Sequence, residues 1–330
     1  MDELNKLIVF FAKLPDTILS SLYLSLKKEK PSLVVFTFHS LFKNKKEIGY
    51  RHIDPQLGIT LEHFDQFIQY FLKYEYEFIA PYQIINGLDA NKKYVMITFD
   101  DGYYNNILSV PYLKKYEIPA TFFISMDHIS KRKCFWWDVQ YRERLQQGFQ
   151  ISEILNEQEQ LKLLPNKDIE KKLQLLFGKE ILDPLGDIDR PFTINELKHF
   201  SEEPFVFLGN HTKNHAILTN LPSNEITEQI QQTQNFITGI TGSSNPQIIS
   251  YPNGNYSEEV INIAKKLGLE IGFTTDEKKN FLPLPKHSNA LLTLGRFDIT
   301  ENDSINKQCL FARSDFVMYQ KIIKLIKKKY

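Results

Sequence analysis

The chain has 330 residues, 42% of them hydrophobic, with 40 Lys and Arg set against 40 Asp and Glu. That length holds one large α/β domain or two smaller ones, and a formal charge of +0 excludes the basic balance of a general nucleic-acid binder. The two cysteines, Cys134 and Cys309, form no C-x-x-C pair and offer no disulfide framework, which fits a reducing compartment.

The N-terminus starts Met-Asp-Glu, the wrong charge for a signal peptide, so a cytoplasmic location is expected. Apolar residues are dense from Leu7 to Leu26, but Lys13, Pro15 and Asp16 interrupt them. A membrane-spanning helix needs about 20 mostly uncharged apolar residues, so the stretch predicts two short helices joined near Pro15. Leu33–Phe38 is a strand by its β-branched and aromatic content, and it ends at His39. After a polar loop to about Gly58, Thr60 caps a helix whose apolar positions Leu61, Phe64, Phe67, Ile68, Phe71 and Leu72 share one face. A short strand at Phe78-Ile79 and a helix around Tyr82–Leu88 lead to the run VMITFDDG, Val95–Gly102. Here a buried strand runs straight into Asp100, Asp101 and Gly102. A helix over about Tyr103–Tyr116 and the strand Ala120–Ile124 follow.

From about Asp127 to Phe200 the alternation stops, and the composition predicts an insertion of helices and loop over one face. It carries FWWD (Phe135–Asp138) and closes with a Thr193-x-x-Glu196 capping box. The pattern resumes with the strand Phe205–Leu208, then Gly209, Asn210 and His211. Ser223 caps a long helix to about Ile240. The strand Gln247–Tyr251 ends in Pro252-Asn253-Gly254, a helix covers about Ser257–Leu267, Ile271–Phe273 is a strand, and Leu291–Leu294 leads to Gly295-Arg296. The tail from about Asp315 reads as an amphipathic helix ending in Lys324, Lys327, Lys328 and Lys329. Strands alternating with helices imply parallel βα units. The expected division is an N-terminal helical extension (1–32), one α/β body (33–300) with its insertion at about 127–200, and a C-terminal basic helix (301–330). The two ends could hold the protein on the inner face of a membrane.

The polar candidates share one position. His39, Asp100 and Asp101, His211, the Pro-Asn-Gly turn and Arg296 each come just past a strand's last apolar residue. Active sites of parallel barrels and open α/β sheets form at that end of the strands. Two adjacent carboxylates raise each other's pKa unless something separates their roles. A metal does so, taking one as ligand and leaving the other as base. His211 and His215 are spaced i, i+4; on a helical turn both imidazoles face one way, about 5–6 Å apart at Cβ. Either signal alone is weak, since DDG turns are common. Two His with a strand-end Asp make a facial triad with open positions for a water and a substrate oxygen. Zinc is the first choice by ligand type, and cobalt, nickel and iron suit the same set. Trp136 and Trp137 have the shape to stack on sugar rings, although packing of the insertion has the stronger claim on them.

Ile97–Gly102 (ITFDDG), His211–His215 (HTKNH) and Tyr251–Gly254 (YPNG), in this order with long gaps, resemble the motifs of the polysaccharide deacetylases, the NodB-homology group called carbohydrate esterase family 4. The resemblance covers about Leu33 to Ile299. It implies a deformed (β/α)7 barrel, here with a helical insertion and helical termini, and metal-dependent removal of an acetyl group from a sugar. By the match Asp100 is the base, Asp101, His211 and His215 hold the divalent metal, the backbone N–H of Asn253 helps hold the oxyanion, and Tyr251 and Pro252 border the substrate. Y-P-x-G and FWWD are similar to the branch acting on surface glycans and lipopolysaccharide precursors. Two departures stand out. Ser250 occupies the place of the Arg that orients the base, and Arg296 that of the late His that acts as acid. A guanidinium is a poor acid, so the leaving nitrogen's proton is expected from His39, an imidazole at the same mouth, with His287 or Asp100 itself as alternatives. The competing readings are another C–N amide hydrolase on the same fold and a glycan-binding barrel that has lost turnover. The sugar, its carrier and the oligomeric state are left open.

Overall fold

The computed structural model describes residues 16–27, 29–54, 58–242, 247–285 and 289–314. Its strands are β1 (Ser32–Phe38), β2 (Leu41–Phe42), β3 (Ile59–Thr60), β4 (Glu77–Phe78), β5 (Lys93–Phe99), β6 (Ala120–Ile124), β7 (Val206–Asn210), β8 (Ile248–Ser250), β9 (Ile271–Phe273), β10 (Asn280–Phe281) and β11 (Phe297–Asp298). The parallel strands follow the order β11-β1-β5-β6-β7-β8-β9, with β4 also on β5 and β10 antiparallel on the start of β1. Leu294, just ahead of β11, bridges Phe273 of β9. The segment Leu294–Asp298 thus reaches both ends of the curled sheet and draws it into the expected deformed barrel. Asn280 seals this seam: its amide nitrogen donates to the carbonyls of Leu33 (3.3 Å) and Gly295 (3.0 Å), and its oxygen accepts from the Gly295 N–H at 2.9 Å.

Strands buried on both faces read as continuous apolar runs, and period-2 alternation assigns each residue to a side. On β1 and β5, Val34, Phe36, Phe38, Val95, Ile97 and Phe99 point outward into a core shared with the helix Leu61–Lys73. This is where many of the phenylalanines go: Phe36 meets Phe67 at 4.9 Å between ring centroids, and Phe38 meets Phe64 and Phe67 at 5.5 and 5.1 Å. The alternate residues Leu33, Val35, Tyr94 and Met96 fill the barrel interior with Phe123, Ile248, Ile271 and Phe273. Gly209 lets Phe123 fill that space, because a Cβ there would lie 2.6 Å from the Phe123 ring. Continuing the same inward rows, the next residues are Thr37 and His39 on one strand and Thr98 and Asp100 on the other. The interior turns from apolar to polar at the strands' carboxyl ends.

The insertion comprises the helices Met126–Lys131, Trp136–Gln146, Ile151–Leu161 and Asn166–Phe177, and then a loop. Its core gathers Cys134, Trp136, Val139, Leu161, Ile169 and Leu173. The loop wraps Asp189, whose carboxylate accepts from the backbone N–H groups of Leu185 and Gly186 and pairs with buried Arg142 at 2.7 Å. The last helix, Ile194–Ser201, carries the expected Thr193/Glu196 capping box. Its Leu197 and Phe200 belong to the barrel's outer core, so it is the barrel's own crossover into β7.

Several local expectations change. Tyr104–Ser109 is a 3-10 turn ahead of the helix Val110–Tyr116. Pro222, extended at φ −71°, takes the cap position before Ser223–Thr241, and the Ser223 hydroxyl goes to Glu259 instead. Leu291–Leu294 lies largely in a 3-10 turn, Asn289–Thr293, so Arg296 precedes a strand and follows none. The helix Asp16–Leu26 packs against Ile305–Ser314, with the Ser314 hydroxyl 3.0 Å from that of Ser20. The first predicted helix, the basic tail from Asp315 and His287 lie outside the described residues. Among the described residues no helix is long and apolar enough to cross a membrane.

Candidate active site

The carboxyl end of β5 forms the floor. The N–H of Asp100 still bonds the Phe38 carbonyl at 2.9 Å, so strand pairing fixes its side chain inward. The chain then turns sharply, with Asp101 at φ 76° and Gly102 at φ 88°. A non-glycine residue rarely adopts that conformation, and Asp is among the few that tolerate it. The turn swings the Asp101 carboxylate away from that of Asp100 and toward the loop after β7.

That loop holds HTKNH, and it is no helical turn: Thr212 and His215 have φ 63° and 56°. Asn210 dictates the path. Its amide nitrogen donates to the Ile230 carbonyl and its oxygen accepts from the Thr212 N–H, each at 2.8 Å, while Thr212 Oγ1 accepts from the Ala216 N–H at 3.0 Å. The imidazoles still meet, with ring centroids 4.9 Å apart. His211 Nδ1 lies 2.8 Å from the Ser250 carbonyl, which only accepts, so Nδ1 carries the proton and Nε2 is free. His211 Nε2 and His215 Nε2 stand 3.3 and 3.4 Å from Asp101 Oδ1. Asp101, His211 and His215 offer one ligand atom each, all within 4.8 Å of one another.

These residues fit a divalent metal. Asp101 Oδ1 is buried and accepts no hydrogen bond, an expensive condition unless a cation completes it. Bonds of about 2.1 Å at roughly tetrahedral or octahedral angles place ligand atoms about 3–3.5 Å apart, as Asp101 is from both nitrogens. Burial pushes the His215 imidazole down to about 3, which keeps it neutral and able to ligate. Burial works the other way on Asp101, but His211 and His215 hold its carboxyl below the ordinary range. For His211, burial is outweighed by Asp100 and then Asp101, which raise it. The excess negative charge that favours a proton there favours a metal equally.

Asp100 is held by Arg296. Nη1 and Nη2 donate to its two oxygens at 2.9 and 2.8 Å, a bidentate pair buried on both sides. Nη1 also reaches Thr98 Oγ1 at 3.2 Å, Nη2 reaches Ser250 Oγ at 2.9 Å, and Nε donates to the Thr274 carbonyl. The Ser250 hydroxyl donates to Asp100 Oδ2 at 3.0 Å. The guanidinium expected to be missing beside Asp100 is present, delivered from the late segment across the barrel. Burial alone would lift the Asp100 carboxyl; Arg296 foremost, then His211, hold it well below the ordinary range, so it stays ionised.

A cavity of about 240 Å³ opens over these groups. Its wall includes His39, Asp100, Asp101, His211, His215, Asn253 and Arg296. His39 Nδ1 is buried without a hydrogen-bond partner. Asn253, exposed at φ 55°, sits at the rim. Tyr251 borders the cavity but is fully buried in the core under the helix Glu258–Lys266, and Pro252 is buried outside the wall, so the two act as packing residues. Trp136 also borders the cavity, but at 3% exposure its ring is packed in the core of the insertion. Trp137 differs: half-buried, it lies 4.6 Å from the His215 ring, and its Nε1–H donates to Tyr103 Oη at 3.0 Å. Tyr103 in turn donates to Asp138 at 2.6 Å. Tyr103, Ser250 and Asp298 are site residues to which the sequence reading assigned no role. Asp298 was open to it, being two residues beyond Arg296 and therefore on the same face.

The polysaccharide deacetylase family model matches residues 87–272. YxkH of Bacillus subtilis (strain 168), a protein whose own description as a polysaccharide deacetylase is provisional, is 23% identical over 257 residues, 76% of this chain and 67% of that one. The structure of the Streptococcus pyogenes deacetylase PplD in complex with acetate is similar with a TM-score of 0.57 at 20% identity, over 85% of this chain and 97% of that one. IcaB from Ammonifex degensii is similar with a TM-score of 0.58 at 16% identity, over 87% and 98% of the two chains. At these identities the solved structures speak for the fold, and the family model for the relationship: this chain belongs to the polysaccharide deacetylase family.

Proposed function

We propose that the protein is a metal-dependent N-deacetylase acting on an N-acetylhexosamine unit of a glycan or glycan precursor. The convergence of Asp101, His211 and His215 around a buried carboxylate oxygen that accepts no hydrogen bond carries this reading. When bound there, a divalent metal supplies polarisation of the acetyl carbonyl and a more acidic attacking water. Asp100, ionised and fixed by Arg296, accepts that water's proton as the oxygen joins the carbonyl carbon. The carbon–nitrogen bond then breaks, the nitrogen takes a proton from the acid side of the cavity, and amine and acetate leave. The backbone at Asn253 is the rim group assigned to the oxyanion. A guanidinium bound to both oxygens of the base weakens the case for a barrel that has lost turnover.

The test is acetate release from N-acetylglucosamine oligomers by the metal-loaded protein and by Asp100→Asn. The amide keeps the shape but accepts no proton, so turnover is expected to fall about 10²–10⁴-fold with metal content unchanged. Near-wild-type turnover in Asp100→Asn would remove Asp100 from the base role.

A further inference from the structure

The acid side of the cavity contains a second, unassigned carboxylate. In the β1–β11 register Asp298 stands beside Thr37, His39 follows just past the end of β1, and all three line the same mouth. Two of them carry a buried polar group with no partner, Thr37 Oγ1 and His39 Nδ1; the third, Asp298, is half-buried, and its side chain makes no hydrogen bond or ion pair among the described residues. Unsatisfied buried groups are few in native proteins and each calls for an explanation. These three are complementary in kind: a ring nitrogen able to donate, a carboxylate able only to accept, and a hydroxyl that does both. Diagonal neighbours across a strand pair lie about 7–8 Å apart at Cα, within reach of a side-chain contact or one bridging water. Arg296 cannot fill the gap, because its Nη groups are committed to Asp100, Thr98 and Ser250.

We propose that Asp298 is a positioning residue for His39: its carboxylate accepts the Nδ1–H, directly or through one water also held by Thr37 Oγ1, so that Nε2–H faces the cavity as the acid for the leaving nitrogen. The proposal rests on the N-deacetylase reading. In the step, the carbon–nitrogen electron pair goes to the nitrogen, His39 Nε2 gives that nitrogen its proton, and the proton taken up by Asp100 restores the balance through solvent. The Asn106 side chain holds the His39 carbonyl at 2.5 Å and so fixes the backbone beneath the ring. The charged groups facing His39 are Asp100 and Asp101 from the β5 end, Arg296 and Asp298 from the β11 segment, and His211 and His215 from the loop after β7.

The experiment compares Asp298→Asn, Asp298→Glu and His39→Gln with wild type in the metal-loaded protein, on an N-acetylglucosamine oligomer and on 4-nitrophenyl acetate. The nitrophenolate leaves without an acid; the amine does not. His39→Gln is expected to lose about 10²–10⁴-fold on the amide and little on the ester. Asp298→Asn is expected to show a smaller loss of the same selectivity, with the alkaline limb of kcat/KM moved to lower pH and metal content unchanged. Asp298→Glu is expected to recover part of the rate. Histidine NMR, assigned through His39→Gln, gives a readout independent of turnover: the His39 titration midpoint falls in Asp298→Asn. An unchanged amide-to-ester ratio, or an unmoved midpoint, overturns the pairing. Wild-type protein inactive on the amide while the midpoint still moves sinks the deacetylase reading and leaves the pairing standing.

Discussion

The two sides of the cavity are built differently. On the base side every group sits on a strand or at its end: Thr98 and Asp100 on β5, Ser250 on β8 and Arg296 just before β11, tied together by hydrogen bonds across the barrel. On the ligand side His211 and His215 ride a loop with two left-handed residues, and side-chain bonds from Asn210 and Thr212 hold it. Trp137, from the insertion, packs on the outer imidazole. Strand register positions a side chain without help from neighbouring side chains; a loop needs a cap for each turn. The base side therefore breaks through loss of charge pairing, and the ligand side through loss of local hydrogen bonds.

Arg296→Met is the larger break. It leaves Asp100 buried without its partner, which costs about 3–5 kcal/mol of stability, readable by denaturant unfolding of the metal-free protein. The effect carries a sign in pH. In the wild type the Asp100 carboxyl is held below its unfolded value, so its contribution is present at neutral pH and is lost as pH falls through the folded value. With Arg296 gone, only His211, His39 and the Ser250 hydroxyl oppose the burial that raises that carboxyl, so less of this contribution remains at neutral pH. The deficit relative to wild type is expected to be larger at pH 7 than at pH 4. A pH-independent deficit contradicts the assignment of Arg296 as the clamp.

Asn210→Ala is the smaller break and sharpens the contrast. It removes the acceptor for the Thr212 N–H and the donor to the Ile230 carbonyl, at a cost of about 1–3 kcal/mol. Metal affinity is expected to fall about 10–100-fold, with the binding stoichiometry unchanged. Titration with a divalent metal checks it; unaltered affinity would mean that the loop keeps its path without the cap.

The same contrast explains what the sequence disclosed. Asp100, Asp101 and His211 were legible because a buried strand announces its own end, and a polar residue just past it must lie at the mouth. The outward phenylalanines and the inward row Thr37, Thr98 follow from alternation alone. The helical reading of HTKNH failed because spacing i, i+4 does not distinguish a helix from a turn; the side-chain oxygen of Asn210, which bonds the Thr212 N–H, decides the path. Arg296 was placed against the acid because motif order along the chain does not say what stands opposite in the barrel. The long segment that returns to β1 delivers it to Asp100. Tyr251 and Pro252 were expected to border the substrate because nothing local marks a residue as buried, whereas the packing expected of Trp136 holds. Their packing partners come from the helix Glu258–Lys266 and from the core of the insertion.

The central claim is that Asp101, His211 and His215 form a metal site while Asp100 remains free beside it. Metal content of purified wild type, Asp100→Asn, His211→Ala and His215→Ala, measured by elemental analysis after equilibration with zinc, addresses it most directly. The account predicts about one metal per chain in wild type and Asp100→Asn, the stoichiometry of a single three-residue site, and a sharp fall in both histidine variants. Wild-type metal content in both His211→Ala and His215→Ala would contradict it.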